Sequence, residues 1–423
     1  VKYKQPVFYP KGKVMSYILR AIEPLVGEVA AEYAVLLVTG PRQVGKSTLL
    51  AHVIEQLGRP VGQVTLDDLT ERQLAVADPA MFFQVHQPPV LVDEVQYAPE
   101  LFSHIKMLVD QGAPPGSFWL TGSQQFRLME LAGESLAGRV AVLPLSSLSQ
   151  GENDRECSAP FSLDLSYWKQ REARLPPKTV IDLFEAMHRG AMPAVDAGRY
   201  SNLNVFYASY LQTYIERDVR RLLGDVDALQ FADFMRAVAA RCSQMLNVAA
   251  IAADVGIRPE KAKAWLAVLE KSGIIFYLHP YANNQLKRTV KAPKLYCHDC
   301  GLIAHLTKWT SPETMEAGAM AGAFMENFVV SEIWKSYLNA GMDAPLYYYR
   351  DHDAKEVDLV IEADGALHPI EIKKTASPNR SMTRSFGALD RASVPRGTGA
   401  VICAAERVSA LDGDTLVIPA GLL

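Results

Sequence analysis

The stretch Gly40-Pro-Arg-Gln-Val-Gly45-Lys46-Ser47 fits the pattern G-x-x-x-x-G-K-[ST] at every fixed position. Glycines let such a loop turn tightly enough for backbone N–H groups to wrap phosphate oxygens, and the helix that follows offers its positive N-terminal end. On this reading Gly40, Pro41, Arg42, Gln43, Val44, Gly45, Lys46, Ser47 and Thr48 form a nucleotide cradle. Lys46 reaches the β- and γ-phosphates and Ser47 ligates the metal, so the expected cofactors are ATP and Mg2+. Val90-Leu-Val-Asp93-Glu94 supplies two acids at the end of an apolar run. Asp93 is expected to hold Mg2+ and Glu94 to act as the base toward the attacking water. Leu120-Thr-Gly-Ser123-Gln124 ends another apolar run, and Thr121, Ser123 and Gln124 are polar groups that could sit between the acids and the γ-phosphate. Ser123 leads that set. Arg139, in Ser135-Leu-Ala-Gly-Arg, is the candidate arginine finger, with Arg217 as its rival.

A second constellation lies near the C-terminal end. Glu356-Val-Asp358 precedes Glu371-Ile-Lys373, and in a strand Glu371 and Lys373 share a face because the side-chain period is two. With Asp358 on a neighbouring strand, Asp358 and Glu371 could hold a second Mg2+ or Mn2+, while Lys373 steadies the water or the developing charge. Glu326, in the helical stretch 322–337, is a candidate further metal ligand. The residues around these charges are apolar (Val357, Leu359, Ile361, Ile370, Ile372), and charges on buried strands require a partner or a metal. Cys297-His-Asp-Cys300 is a lone C-x-x-C with no second pair at a usual spacing, which argues against tetrahedral zinc.

The elements that must position these groups are legible as patterns. Strand candidates at 34–39, 61–66, 90–92 and 118–121 alternate with helical stretches, which predicts βαβ units and a largely parallel sheet in a domain over residues 1–150. Residues 151–177 carry Gly, Pro and charge without clear period and read as a loop or boundary; a helical lid or linker is expected over 151–225, with one long helix at 205–223. Within 226–295, Val248–Val255, Gly256-Ile257 and Pro259–Ser272 read as helix, turn, helix followed by an apolar run, the pattern of a winged helix-turn-helix. Arg258, Lys261, Lys263 and Lys271, then Lys287, Arg288, Lys291 and Lys294 with no acid between Tyr281 and His298, could meet phosphates. The last domain, 296–423, has strands at 357–361, 369–372 and 399–403, the first two joined by an Asp364-Gly365 turn.

Composition sets the frame. The 423 residues are 49% hydrophobic and 21% charged, which fits a folded chain of two to four domains. Lys+Arg 43 against Asp+Glu 47 leaves a formal charge of −4, so a nucleic-acid surface would have to be local. Five scattered cysteines argue against a disulfide framework, and no apolar stretch reaches the length of a membrane span. A cytoplasmic protein with no membrane partner is the expectation.

Together the motifs resemble predicted bacterial and archaeal AAA+ ATPases that join a P-loop module to a winged-helix segment and a C-terminal PD-(D/E)xK restriction-endonuclease-like domain. The resemblance rests on residues 40–47, Asp93-Glu-Val-Gln96, residues 120–124 and 135–139, Tyr214-Ile-Glu-Arg-Asp218, Lys294-Leu-Tyr296 with Asp299 and Gly301, Glu326-Asn-Phe, Glu356-Val-Asp358 and Glu371-Ile-Lys373. It implies an α/β fold with a parallel ATPase sheet, a helical and winged-helix middle and a nuclease-like α/β end. It further implies ATP hydrolysis, while the family's cellular role is poorly defined. The favoured expectation from all these residues is a Mg2+-dependent ATPase whose nucleotide state drives a DNA-facing half, with DNA as a partner, a homo-oligomer, and a role in DNA processing or genome defence. Val357 stands before Asp358 where such nucleases place proline. The competing expectation is a nucleotide-controlled interaction protein whose nuclease fold is a scaffold.

Overall fold

The computed structural model describes residues 17–123, 128, 131–133, 135–157, 159–224, 226–282, 292–351 and 355–423. Gln124, Lys287, Arg288 and Lys291 lie outside them. Five strands, β1 (Val35–Thr39), β2 (Gly62–Thr65), β3 (Val90–Asp93), β4 (Phe118–Thr121) and β5 (Val140–Pro144), form a parallel sheet in the order β2-β3-β4-β1-β5. The strand period of two sorts β1 between two cores. Val35 and Leu37 pack with the helices of residues 69–110, whereas Leu36 and Val38 pack with Leu49, Leu50 and Val53 of the helix Lys46–Leu57. A sheet covered on both faces reads as continuous apolar runs, which is why β1, β3 and β4 are visible in the sequence. Strand β5, Val-Ala-Val-Leu-Pro, is apolar too, although as the edge strand it is mostly only half-buried; it is not among the strands expected above.

Helices make up most of residues 165–271. Leu165–Arg174 is a helix where a loop was expected; it is capped by Asp164 but buries only Trp168 and Arg171, too few for a visible period. The expected helix at 205–223 forms as Leu203–Tyr214, a π-helical turn at Ile215–Val219 and a last turn at Arg220–Leu223. Val248–Val255 and Pro259–Lys271 flank the turn at Gly256; strand β6 (Gln244–Met245) precedes this helix-turn-helix pattern and β7 (Ile275–Pro280) and β8 (Lys294–Cys297) follow it, the three pairing as an antiparallel ribbon.

That ribbon does not stand alone. Strand β7 runs parallel to β9 (Leu346–Arg350), and the sheet continues through β10 (Glu356–Ala363), β11 (Ala366–Lys373), β12 (Gly399–Cys403), β14 (Thr415–Pro419) and β13 (Ser409–Ala410). The boundary expected at 295/296 therefore falls inside β8. Buried residues from Phe161 to Leu423 form one continuous core, so the helical middle and the C-terminal sheet share an interior. Asp299 shows how they are joined. It caps the helix Cys300–Leu306 through Leu302 N–H at 2.7 Å and accepts Ala191 N–H at 2.8 Å and Tyr207 O–H at 3.0 Å.

Candidate functional site

The chemistry-bearing residues meet where the parallel strands end. Because β4 lies between β3 and β1, the acids after β3, the polar residues after β4 and the glycine loop after β1 emerge side by side. The loop needs its glycines. Gly40 has φ +141° and a Cβ there would stand 2.1 Å from Leu145 O, and Gly45 caps the following helix at φ +91°. Lys46 Nζ donates to Gly40 O at 3.0 Å and Pro41 O at 2.7 Å. Burial pushes this ammonium down to about 8, against the pull of the Glu94 and Asp93 carboxylates.

Ser47 Oγ donates to Asp93 Oδ1 at 2.6 Å, and Thr121 Oγ1 donates to the same oxygen. The residues assigned to Mg2+ are thus already paired, with Thr121 fixing the acid. Glu94 adopts φ +55°, an uncommon conformation for this residue, and its Oε2 accepts Ser123 Oγ–H at 3.1 Å and Ser123 N–H at 3.3 Å. Ser123 therefore meets the expected base directly. A donor set of this kind, one hydroxyl and one carboxylate beside a phosphate cradle, fits a hydrated Mg2+.

Three residues and one contact escaped sequence reasoning. Arg20, 4% exposed, donates to Val44 O at 2.9 Å and Ser146 O at 2.9 Å and pairs with Glu152 at 3.0 Å, bracing the loop from behind. Arg42 forms a two-pronged ion pair with Asp218 of the π-helical turn, at 2.5 and 2.9 Å. Tyr17 and Tyr200, with Ile18, Val44, Thr48 and Pro193, line a cavity of about 390 Å³ beside the loop, a size and character that suit a purine base. Tyr17 and Tyr200 come from opposite sides of the motif in sequence, so no local spacing announces them.

Arg139 sits just before β5, whose Val140 pairs with Val35 at the start of β1. It is therefore at the sheet end away from its own glycine loop, half-exposed and paired with Asp110 at 2.6 Å. Arg217 is exposed on the turn that carries Asp218.

In the C-terminal sheet β10 and β11 run antiparallel with Leu359 opposite Ile370, which sets Asp358 beside Glu371. Lys373 Nζ reaches Glu371 Oε1 at 2.6 Å and Asp358 Oδ2 at 3.3 Å, and Ile372 N–H donates to Asp358 Oδ2 at 2.9 Å. Burial, with the Asp358 charge beside it, pushes Glu371 up to about 7. The three expected residues converge. Glu326 does not complete a metal-binding cluster with them: it accepts Lys294 Nζ at 2.9 Å and Tyr296 O–H at 2.7 Å, and among the described residues no group of three His, Cys, Asp or Glu is placed to hold a metal. Lys294 departs from expectation as well. It is buried and paired with Glu326 and Glu356, not presented to a phosphate backbone, because an apolar sheet position forces its charge onto those acids. Lys261 donates to Gln230 at 2.9 Å and lies over the Trp265 ring. Cys297 and Cys300 are free buried thiols gathered around Asn327, with Cys300 Sγ accepting Asn327 Nδ2–H at 3.2 Å.

Residues 32–153 match the family model described as AAA domain. The chain carries an AAA-type P-loop ATPase module. Beyond it, residues 180–313 and 321–423 match two models described as domains of unknown function, DUF8612 and DUF4143. An uncharacterized protein of Mycobacterium tuberculosis and one of Mycobacterium bovis are each 29% identical to this chain over 363 residues, covering 84% of it and 74% of their own length. Among solved structures, a Walker-type ATPase of Pyrococcus abyssi aligns at 17% identity and TM-score 0.46, covering 70% of this chain and 98% of its own. The RuvB Holliday junction branch migration motor of Thermotoga maritima aligns at 15% identity and TM-score 0.31, covering 61% and 89%. Among the described residues no helix is long and apolar enough to cross a membrane.

The Arg42–Asp218 pair fastens the ATPase module to the helical middle, and both side chains are largely buried. Removing one partner strands the other charge away from water. Arg42→Ala and Asp218→Ala should each destabilise the protein by about 3 kcal/mol in urea unfolding, and the double variant by clearly less than the sum. Additive losses would show that the two residues act separately.

Proposed function

We propose that this protein is a Mg2+-dependent ATP phosphohydrolase whose nucleotide state acts on a DNA-facing, nuclease-like half. The observation that carries the first part is the convergence of Lys46, Ser47, Asp93, Glu94 and Ser123 at the ends of adjacent parallel strands. Lys46 and the loop N–H groups bind the β- and γ-phosphates. Ser47 and Asp93 would hold Mg2+, which supplies charge neutralisation for the departing phosphate when bound. Glu94 orients a water and takes its proton, and Ser123 keeps Glu94 in reach of the γ-phosphate. Lys46→Ala should abolish binding of a fluorescent ATP analogue. Glu94→Gln should keep that binding and lose about 100-fold or more in turnover, the size expected for removing a general base. Parental turnover in Glu94→Gln would take the base role from Glu94.

Arg139 belongs to this reading as a finger acting on a neighbouring copy in a homo-oligomer, since its own loop is at the opposite end of the sheet. Specific activity should then rise with protein concentration in the parent and stay flat and low in Arg139→Ala. A parent whose activity per chain is constant while light scattering follows its assembly would remove the finger role.

For the C-terminal half, the meeting of Asp358, Glu371 and Lys373 favours a PD-(D/E)xK-like centre for Mg2+ or Mn2+, with DNA as substrate and DNA processing or genome defence as context. The competing scaffold reading draws on the same contacts, because Lys373 already neutralises both acids. With Mn2+ and single-stranded, duplex or branched DNA, cleavage that disappears in Lys373→Ala supports the nuclease; no cleavage of any of them by the parent supports the scaffold.

A further inference from the structure

Gln96 is entirely buried in the short turn Val95–Tyr97 that follows the two acids. Its Nε2 donates to Glu94 Oε2, the oxygen that also accepts both Ser123 donors. Its own Oε1 has no hydrogen-bond partner among the described residues. That oxygen lies against Gly122, where any Cβ would stand 2.2 Å away, so the residue before Ser123 has to be glycine for the glutamine to fit. A buried amide oxygen left unpaired costs free energy. The compensating contact of this side chain is the one its Nε2 makes with Glu94.

We propose that Gln96 is the positioning residue of ATP hydrolysis, acting through Glu94. This rests on the reading of Glu94 as the base. Three donors converge on Oε2: Gln96 from the turn after β3, and the hydroxyl and amide of Ser123 from the end of β4. They fix the carboxylate against rotation and occupy Oε2. Oε1 is then the oxygen that accepts a proton from water. As the water oxygen bonds to the γ-phosphorus, the bond from that phosphorus to the β–γ bridging oxygen breaks, and ADP and inorganic phosphate result. The left-handed backbone at Glu94 is part of the same device, because it brings the side chain back over its own turn to within reach of Gln96.

Gln96→Met keeps the length of the side chain and removes the donor; Gln96→Glu keeps the shape and replaces the donor with an acceptor. Both are measured with Mg2+-ATP for kcat and KM, for thermal midpoint, and as single-turnover rates in the parent and in the Glu94→Gln background. The expected result is a loss of about 10- to 100-fold in kcat, the scale of lost outer-shell support, with KM within about threefold of the parent. In the Glu94→Gln background the same changes should cost nothing further, because a residue that works through Glu94 has nothing left to position. Rates within about twofold of the parent overturn the proposal, as does an equal fold-loss in both backgrounds, which marks a structural role. Should Gln96→Met fail to fold, Gln96→Glu alone decides the matter on the same criteria. Loss in Glu94→Gln together with full activity in the Gln96 variants refutes only the positioning role, whereas full activity in Glu94→Gln refutes the base reading beneath it.

Discussion

Burial strips water from the Lys46 ammonium and pushes its pKa down to about 8, against the pull of the Glu94 and Asp93 carboxylates. The surrounding structure also gives its N–H groups acceptors. Gly40 and Pro41 turn their carbonyls onto Nζ, which demands the backbone angles of a glycine at position 40, and those angles leave no space for a side chain against Leu145. Arg20 in turn holds Val44 and Ser146 in place from the far side of the loop. The acids after β3 balance the charge, and their own positions are set by hydroxyls of Ser47, Thr121 and Ser123. A parallel sheet with β4 between β1 and β3 is the arrangement that lets one end of three strands supply all of these groups.

The helical middle closes the same site from above. Asp218 reaches Arg42, and Gly273, after the helix Pro259–Lys271, packs so closely on Pro41 that a Cβ there would come within 2.7 Å of its ring. Tyr200 and Pro193 form the outer wall of the cavity beside Val44. The middle also shares its core with the C-terminal sheet, and Gln150 N–H donates to Glu332 at 2.7 Å on the helix Ala321–Asn339 that carries Glu326. The helical middle that packs on the loop is thus continuous in packing with the elements that carry Asp358, Glu371 and Lys373. Contact of this kind permits coupling; its size is a free-energy difference between states that must be measured.

What the sequence made legible follows from how local each signal is. The glycine loop, the acids after an apolar run and the Asp364-Gly365 turn depend on neighbours within a few positions. Both turn residues take left-handed φ, +52° and +73°, as a two-residue hairpin requires. Arg42 and Asp218 are 176 positions apart, and Arg20 and Glu152 are 132 apart, so no window of residues contains the reason for either. Gln96 is visible only as part of a motif; its fit depends on Gly122, just after the next strand. Lys294 misled for the opposite reason. Its basic neighbours suggested an exposed patch, whereas the strand period places it inward, where burial opposes its charge and Glu326, Asp358 and Glu356 outweigh that opposition.

On the reading proposed above, nucleotide binds between the glycine loop and the helical middle, with both surfaces part of one site. Amide hydrogen exchange with and without Mg2+-ATP, read in the Glu94→Gln protein so that the ligand persists, tests it most directly. Protection is predicted not only at residues 40–48 but also at 193–200, together with a changed exchange rate across 214–219 where Asp218 holds Arg42. Protection confined to residues 40–48, with 193–200 and 214–219 exchanging as in the free protein, would contradict the account.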